Sequence, residues 1–168
     1  MSAAGVNVRA SVHVTARAYT YLANEISRVF YEAIHAGGLD PSDYANNQET
    51  IEAGLRSWLT LRQLETAYLE IYDPGTGRMV TRIDLTIAYD ETTEETYHTA
   101  IEDVRAAIGQ AGEFPGCRYR VVVSTIPGAV PVKGWGPTDL QSVDHLKPHP
   151  VGTVIKTAAA SSGMSIWH

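Results

Sequence analysis

Ile126-Pro-Gly-Ala-Val-Pro-Val-Lys-Gly-Trp-Gly-Pro137 is where this chain stops reading as regular secondary structure. The stretch from Pro127 to His168 holds five of the eight prolines (Pro127, Pro131, Pro137, Pro148, Pro150) and two of the three tryptophans, Trp135 and Trp167. A disordered tail is poor in aromatic and β-branched residues. This one instead carries an apolar run, Val151 to Thr157, and ends in Met164-Ser-Ile-Trp-His. It therefore reads as an extended ribbon with strand-forming pieces at its far end, made to lie on a preformed domain. A long connection that is neither regular nor disordered is usually functional, and the expectation is that this ribbon closes over something.

Working back from the ribbon, Cys117 to Thr125 reads as a strand. Before it, Thr92 with Glu95 three residues on has the spacing of a capping box. A helix is expected from there, with Tyr97, Ala100, Ile101, Val104, Ile108 and Ala111 apolar and Gly112 as its stop. Leu64–Tyr72 and Met79–Tyr89 alternate on either side of Asp73-Pro-Gly-Thr-Gly, a strong turn, and so predict a hairpin. Ala67, Leu69, Ile71, Ile83, Leu85 and Ile87 form its dry face; Thr66, Tyr68, Glu70, Arg82, Asp84 and Thr86 form a wet one. Tyr19 to Ala36 is the clearest helix, with apolar residues at steps of three and four and Gly37-Gly38 at its end. A second helix is expected over Asn47–Leu59, although Gly54 inside it costs about 1 kcal/mol relative to Ala. Asp40-Pro-Ser-Asp43 reads as a turn or helical start, and Val6–Thr15 alternates as an edge strand or extended arm. The fold class is α+β, an antiparallel sheet with about three helices gathered on one face.

At 168 residues the chain is expected to form one domain, 1–168, divided into an arm (1–15), a core (16–126) and the ribbon (127–168). A net charge of −6 argues against a dedicated nucleic-acid binder. No apolar stretch reaches the length of a membrane span, and the start lacks the pattern of a signal peptide. The single cysteine, Cys117, fits a reducing cytoplasm.

Signals of catalysis are missing. His145 and His149 are four apart, but Pro148 lies between them and no carboxylate or cysteine completes a metal set. Cys117 reads as a small buried hydrophobe. The turn after Asp73 lacks the lysine and hydroxyl of a phosphate-binding loop. Glu91, Glu94 and Glu95 suit the start of a solvated helix, and Asp84 opposite Glu70 or Arg82 reads as ordinary surface pairing. No catalytic residue, metal or cofactor is expected.

The order of elements resembles the bacterial HORMA domains of anti-phage (CBASS-type) operons, relatives of the eukaryotic HORMA proteins of the spindle checkpoint, meiotic axis and translesion synthesis. The likeness runs over nearly the whole chain. It is carried by Ala18-Tyr-Thr-Tyr-Leu, Gly38-Leu-Asp-Pro, Leu69-Glu-Ile-Tyr-Asp-Pro-Gly-Thr-Gly-Arg-Met-Val-Thr-Arg and Ala111-Gly, and then by Tyr119-Arg-Val-Val, Gly134-Trp-Gly and Val151-Gly-Thr-Val. The resemblance implies a HORMA-like fold whose ribbon is a safety belt, able to wrap a closure-motif peptide of a partner protein. It implies an adaptor and no enzyme. The partners it implies are a cGAS/DncV-like nucleotidyltransferase activated by the closed form, and a Trip-type AAA+ ATPase that reopens the belt by engaging the N-terminal arm.

Strand addition takes affinity from backbone hydrogen bonds and specificity from alternating side-chain pockets. On that basis the expected peptide-binding residues are Tyr119, Val121, Val122, Val123, Ser124 and Thr125; Trp135 reads equally as a clamp over the peptide or as plain core packing. Val151, Val154, Ile155, Ile166 and Trp167 are expected to lock the belt as a hairpin on the strand ending at Tyr89, with Trp167 packed in the core. Two other readings remain open: an enzyme using Glu94, Glu95 and His98, and a structural homo-oligomeric subunit.

Overall fold

The computed structural model describes residues 3–90 and 95–168. Among these, three helices, α1 (Ala3–Ala36), α2 (Ser42–Thr60) and α3 (Ile101–Ala111), accompany six strands. The strands are β1 (Leu64–Tyr72), β2 (Met79–Ala88), β3 (His98–Thr99), β4 (Arg118–Thr125), β5 (Pro148–Lys156) and β6 (Ser161–Trp167). The sheet runs β3-β5-β6-β2-β1-β4, and every pairing is antiparallel.

The core lies between the helices and one face of the sheet. From α1 it takes Leu22, Ala23, Ile26, Val29, Phe30 and Ile34, all fully buried, at the three-and-four spacing that puts them on one stripe. From the hairpin it takes Ala67, Leu69, Ile71, Ile83 and Leu85. Gly37 and Gly38 close α1; Gly38 adopts a φ of 71°, and Leu39 N donates back to Ile34 O at 3.0 Å. Tyr44 ties α2 to α1, its hydroxyl donating to Ser27 O at 3.1 Å, and burial drives that hydroxyl's pKa far up.

Three expectations need correction. The segment Val6–Thr15 belongs to α1 and is no edge strand. No glycine or proline interrupts the chain from Val6 to Ala36, so a well-nucleated helix can propagate through a short, weak alternation. The third helix begins at Ile101, not Thr92; Glu95 to Tyr97 are irregular and His98–Thr99 pairs with Ile155–Lys156 as the outermost strand. Thr92 itself, with Glu91 and Glu94, lies outside the described residues. The face of the hairpin read as wet is largely covered: Glu70 is fully buried, and Thr66 and Arg82 are also buried. Tertiary packing overrode local pattern in each case.

Truncating Phe30 to Ala should cost about 3–5 kcal/mol in urea unfolding, the usual range for a buried aromatic. Tyr31→Ala, one residue on and 42 % exposed, should cost less, about 0.5–1.5 kcal/mol, since its ring packs on Tyr44.

Candidate peptide-binding cleft under a C-terminal belt

The belt leaves the sheet at the end of β4 along the helix side. Ile126 N donates to Gln63 O at 2.9 Å, and the Trp58 indole N–H donates to Val130 O at 2.8 Å. Trp135 then seats on α2. Its indole N–H donates to Thr50 O at 3.1 Å, and its ring meets Trp58 edge-on at 5.1 Å. A Cβ on Gly54 would stand only 2.3 Å from the Trp135 Nε1. The helix-weakening glycine is thus the floor of an indole socket. Gly134 beside it has a φ of 88° and faces Thr50, whose methyl would lie 2.5 Å from an added Cβ.

Three residues later the belt is on the other face of the sheet. Directly opposed residues of antiparallel strands share a face. Tyr119, Val121 and Val123 oppose the core residues Ile71, Leu69 and Ala67, whereas Arg120 opposes Glu70 on the reverse face. Arg120 donates to the Glu70 carboxylate, to Thr138 Oγ1 at 2.8 Å and to Asp139 O at 2.6 Å. Gln141 N donates to the second Glu70 oxygen at 3.0 Å, and the His145 ring meets Met79 O at 2.6 Å. Since β4 is the edge strand, the chain has passed around its outer side between Trp135 and Thr138. Among the described residues, no backbone hydrogen bond joins the belt to that outer edge.

What remains beneath the belt is a cavity of about 260 Å³, lined on one side by Tyr119, Arg120 and Val121 and on the other by Thr50, Ile51 and Trp135. Its wall is held in place by Tyr119, whose hydroxyl donates to Asp40 O at 2.6 Å and accepts from Tyr44 N at 3.0 Å. That second bond satisfies an orphan N–H in the first turn of α2, which has no side-chain cap of its own. Burial raises the Tyr119 pKa, and the carboxylates of Asp43 and Asp40 add to the effect.

The far end of the belt is zipped to the opposite flank. β5 pairs with β6, and β6 pairs with β2 from Arg82 opposite Trp167 to Ala88 opposite Ser161. Val154, Ile155 and Ile166 are buried there, while Val151 is half-buried. Trp167 does not enter the helix-side core as expected. It lies half-buried on the reverse face, its indole N–H donating to Asp84 Oδ2 at 3.0 Å and its ring 5.4 Å from the Arg82 guanidinium. Arg82 holds Asp84 through bonds of 2.6 and 2.8 Å and is itself buried, so this pair is not the surface pairing its sequence suggested. His149 and His168 stack at 3.9 Å at the end of the hairpin, and burial, then the neighbouring ring, lowers the His168 pKa.

The expected binding residues therefore divide. Tyr119, Val121 and Trp135 line the cavity, and Val123 is half-buried on the same side. Val122 is buried on the reverse face, as the alternation of β4 requires. Ser124 bonds the Tyr68 hydroxyl at 3.3 Å, and Thr125 pairs with Leu64 at the strand's end. Sequence reasoning missed Thr50, Gly54, Glu70 and Arg120. Gly54 did leave a signal, an unexplained glycine within a helix. Cys117 is half-buried just before β4, its thiol pKa raised by burial. Glu95 is an exposed partner of Arg17 at 3.0 Å, and His98 is exposed in β3. Among the described residues no cluster of metal-ligating side chains occurs, and no helix is long and apolar enough to cross a membrane.

A helix-backed antiparallel sheet, its C-terminal belt looped round one edge and zipped to the other flank, defines this protein as a HORMA-fold chain. The family model described as Bacterial HORMA domain 2 matches residues 6–168, and the chain belongs to that family. Its fold is shared at low identity by several solved structures. A chain of a mitotic checkpoint complex is 11% identical with a TM-score of 0.71, covering 87% of this chain and 97% of that one. C. elegans HTP-2 bound to HTP-3 closure motif 1 is 12% identical with a TM-score of 0.58, covering 86% and 84%. The E. coli MS115-1 CdnC:HORMA-deltaN complex contributes a chain 10% identical with a TM-score of 0.56, covering 90% and 87%. No curated protein matches by sequence.

Two substitutions probe the belt's anchors. Gly54→Ala should strengthen α2 locally by about 1 kcal/mol yet expel the Trp135 indole. It should appear as red-shifted tryptophan emission and faster tryptic cleavage after Lys133 in a protein with unchanged helix content. Glu70→Ala leaves the Gln141 N–H without its acceptor and Arg120, still bonded to Thr138 and Asp139, without its carboxylate; it should cost about 1–3 kcal/mol in urea unfolding.

Proposed function

We propose that this protein is a peptide-binding signalling adaptor that closes its C-terminal belt around the closure motif of a partner. In that reading the conformation described above is the belt-closed one. The peptide lies as an added strand along β4, enclosed between that edge and residues 135–141. The observation that carries this is the path of the belt: among the described residues it rounds the sheet edge with no backbone hydrogen bond to it, and it leaves a cleft under Trp135. An unpaired strand edge is a template for another chain, and a strap over it converts edge pairing into capture. Tyr119, Val121 and Val123 would face alternate peptide side chains on the helix side, with Trp135 as the aromatic anchor. Val151, Val154, Ile155, Ile166 and Trp167 would hold the belt shut.

Family membership, together with the fold shared with the HORMA chain solved with CdnC, supports a finer reading. The closed, peptide-bound form activates a cGAS/DncV-like nucleotidyltransferase in cytoplasmic anti-phage defence, and a Trip-type AAA+ ATPase reopens the belt through the N-terminal segment. The protein itself performs no catalysis.

The test is recovery of bound peptide from the full chain by mass spectrometry, followed by calorimetric titration. Trp135→Ala should weaken binding at least about tenfold, as loss of an interface aromatic does. Deleting residues 151–168 should abolish binding. Unchanged affinity in both variants would reject belt capture. Equal nucleotide synthesis by a cGAS/DncV-like nucleotidyltransferase with and without the peptide-bound form would reject activation.

A further inference from the structure

The two flanks of the sheet end in edges of different construction. β4 runs from Arg118 to Thr125 without a proline or a glycine, and it is the edge the belt rounds. On the other flank β3 is only two residues long and pairs with Ile155 and Lys156 alone. Ala100 N adds one bond, to Val154 O at 2.8 Å. From Pro148 to Thr153 the outer side of β5 has no strand beside it among the described residues, and all of that stretch except Val151 is exposed. An exposed strand edge is a template for another chain.

One pair of residues fixes which way each backbone group of β5 points. Lys147 and His168 exchange both backbone hydrogen bonds, at 3.2 and 3.1 Å. Opposed residues of an antiparallel pair alternate between bonded and non-bonded. The register continues with Pro148 opposite Trp167, His149 opposite Ile166 and Pro150 opposite Ser165. His149 therefore directs its N–H and C=O to β6, whereas Pro148 and Pro150 turn their ring nitrogens outward. That is the side on which a strand proline leaves the existing ladder whole. It is also the side on which a further strand would need donors, and at both positions the donor is missing. Past Pro150 the register shifts twice, between Pro150 and Gly152 and between Thr153 and Ile155, and Gly152 has a φ of 99°. Bulges bend a strand and break the even spacing of its donors. Proline is common as the first residue of a strand, which accounts for Pro148. It does not account for Pro150 two residues on, nor for the two irregularities that follow.

We propose that Pro148 and Pro150 keep the β5 edge from pairing with β5 of a second copy of this chain. Because the belt rounds β4, β5 is the edge that a second copy reaches without obstruction. Two β5 edges meeting antiparallel would form one continuous sheet across a two-fold axis, each copy using the same residues. With the prolines in place, the carbonyls of the second strand that face positions 148 and 150 leave water and meet ring carbons instead of N–H groups. The barrier stands whether or not β4 takes a peptide.

Sedimentation velocity of the full chain carrying Pro148→Thr and Pro150→Thr, run over a concentration series, tests it. The double variant should sediment faster as concentration rises, toward twice the wild-type mass, while the wild type keeps one value. Each single variant restores one donor and should associate more weakly. His149→Thr raises strand propensity between the prolines but adds no outward donor, so it should sediment as the wild type does. Hydrogen exchange locates the contact: the new amides at positions 148 and 150 should exchange freely in dilute samples and become protected in concentrated ones. Circular dichroism checks the fold of each variant, and the single variants decide the matter if the double one folds poorly. Folded variants with wild-type sedimentation at every concentration would overturn the proposal. So would association that leaves those amides exchanging freely, or a wild type that already associates through β5.

Discussion

The pairing of β6 with β2 decides where everything after β4 must go. It runs from Arg82 opposite Trp167 to Ala88 opposite Ser161, and it fixes the end of the chain on one flank of the central hairpin. β4, where the belt begins, lies on the other flank. The connecting residues must therefore cross the sheet. Because α2 fills the helix side, and Trp135 is socketed there on Gly54, the open route is round the β4 edge and across the reverse face. The cleft is a consequence of that route.

Crossing the reverse face changes the status of its charges. Glu70 would be an unremarkable exposed acid on a bare hairpin. Under the belt it is fully buried, and it is tolerable there because Arg120 and the Gln141 N–H satisfy both oxygens. Arg82 and Asp84 are treated in the same way beneath Trp167. Such pairs contribute modestly to net stability but are costly to break singly, so they specify one belt path over its neighbours. The belt between Gly136 and Leu140 is exposed and held by a few polar contacts, those from Arg120 to Thr138 and Asp139. A segment with few buried apolar contacts opens at less than the global unfolding cost, whereas the β5–β6 hairpin, with Val154, Ile155, Met164 and Ile166 buried, is bound to the core.

Periodicity and punctuation in the sequence determined α1 from Tyr19 onward, the hairpin with its dry face, β4, and the strand-forming character of residues 151–157 and 164–167. These are local properties: the spacing of apolar residues, a Pro-Gly turn, a glycine stop. The grouping of Tyr119, Val121 and Trp135 as candidates came from the family resemblance and not from these patterns. The tertiary structure alone decided that Val6–Thr15 is helical, that α3 waits until Ile101 while His98–Thr99 pairs with β5, that Trp167 packs over Arg82, and that Glu70 and Arg120 strap the belt. Each depends on a contact with a segment distant in sequence. Burial of Glu70 is imposed by residues some seventy positions away, and no pattern around Glu70 records which segment will cover it. Gly54 stands between the two cases: its oddity was visible in the sequence, but the indole that explains it had first to be brought there by the fold.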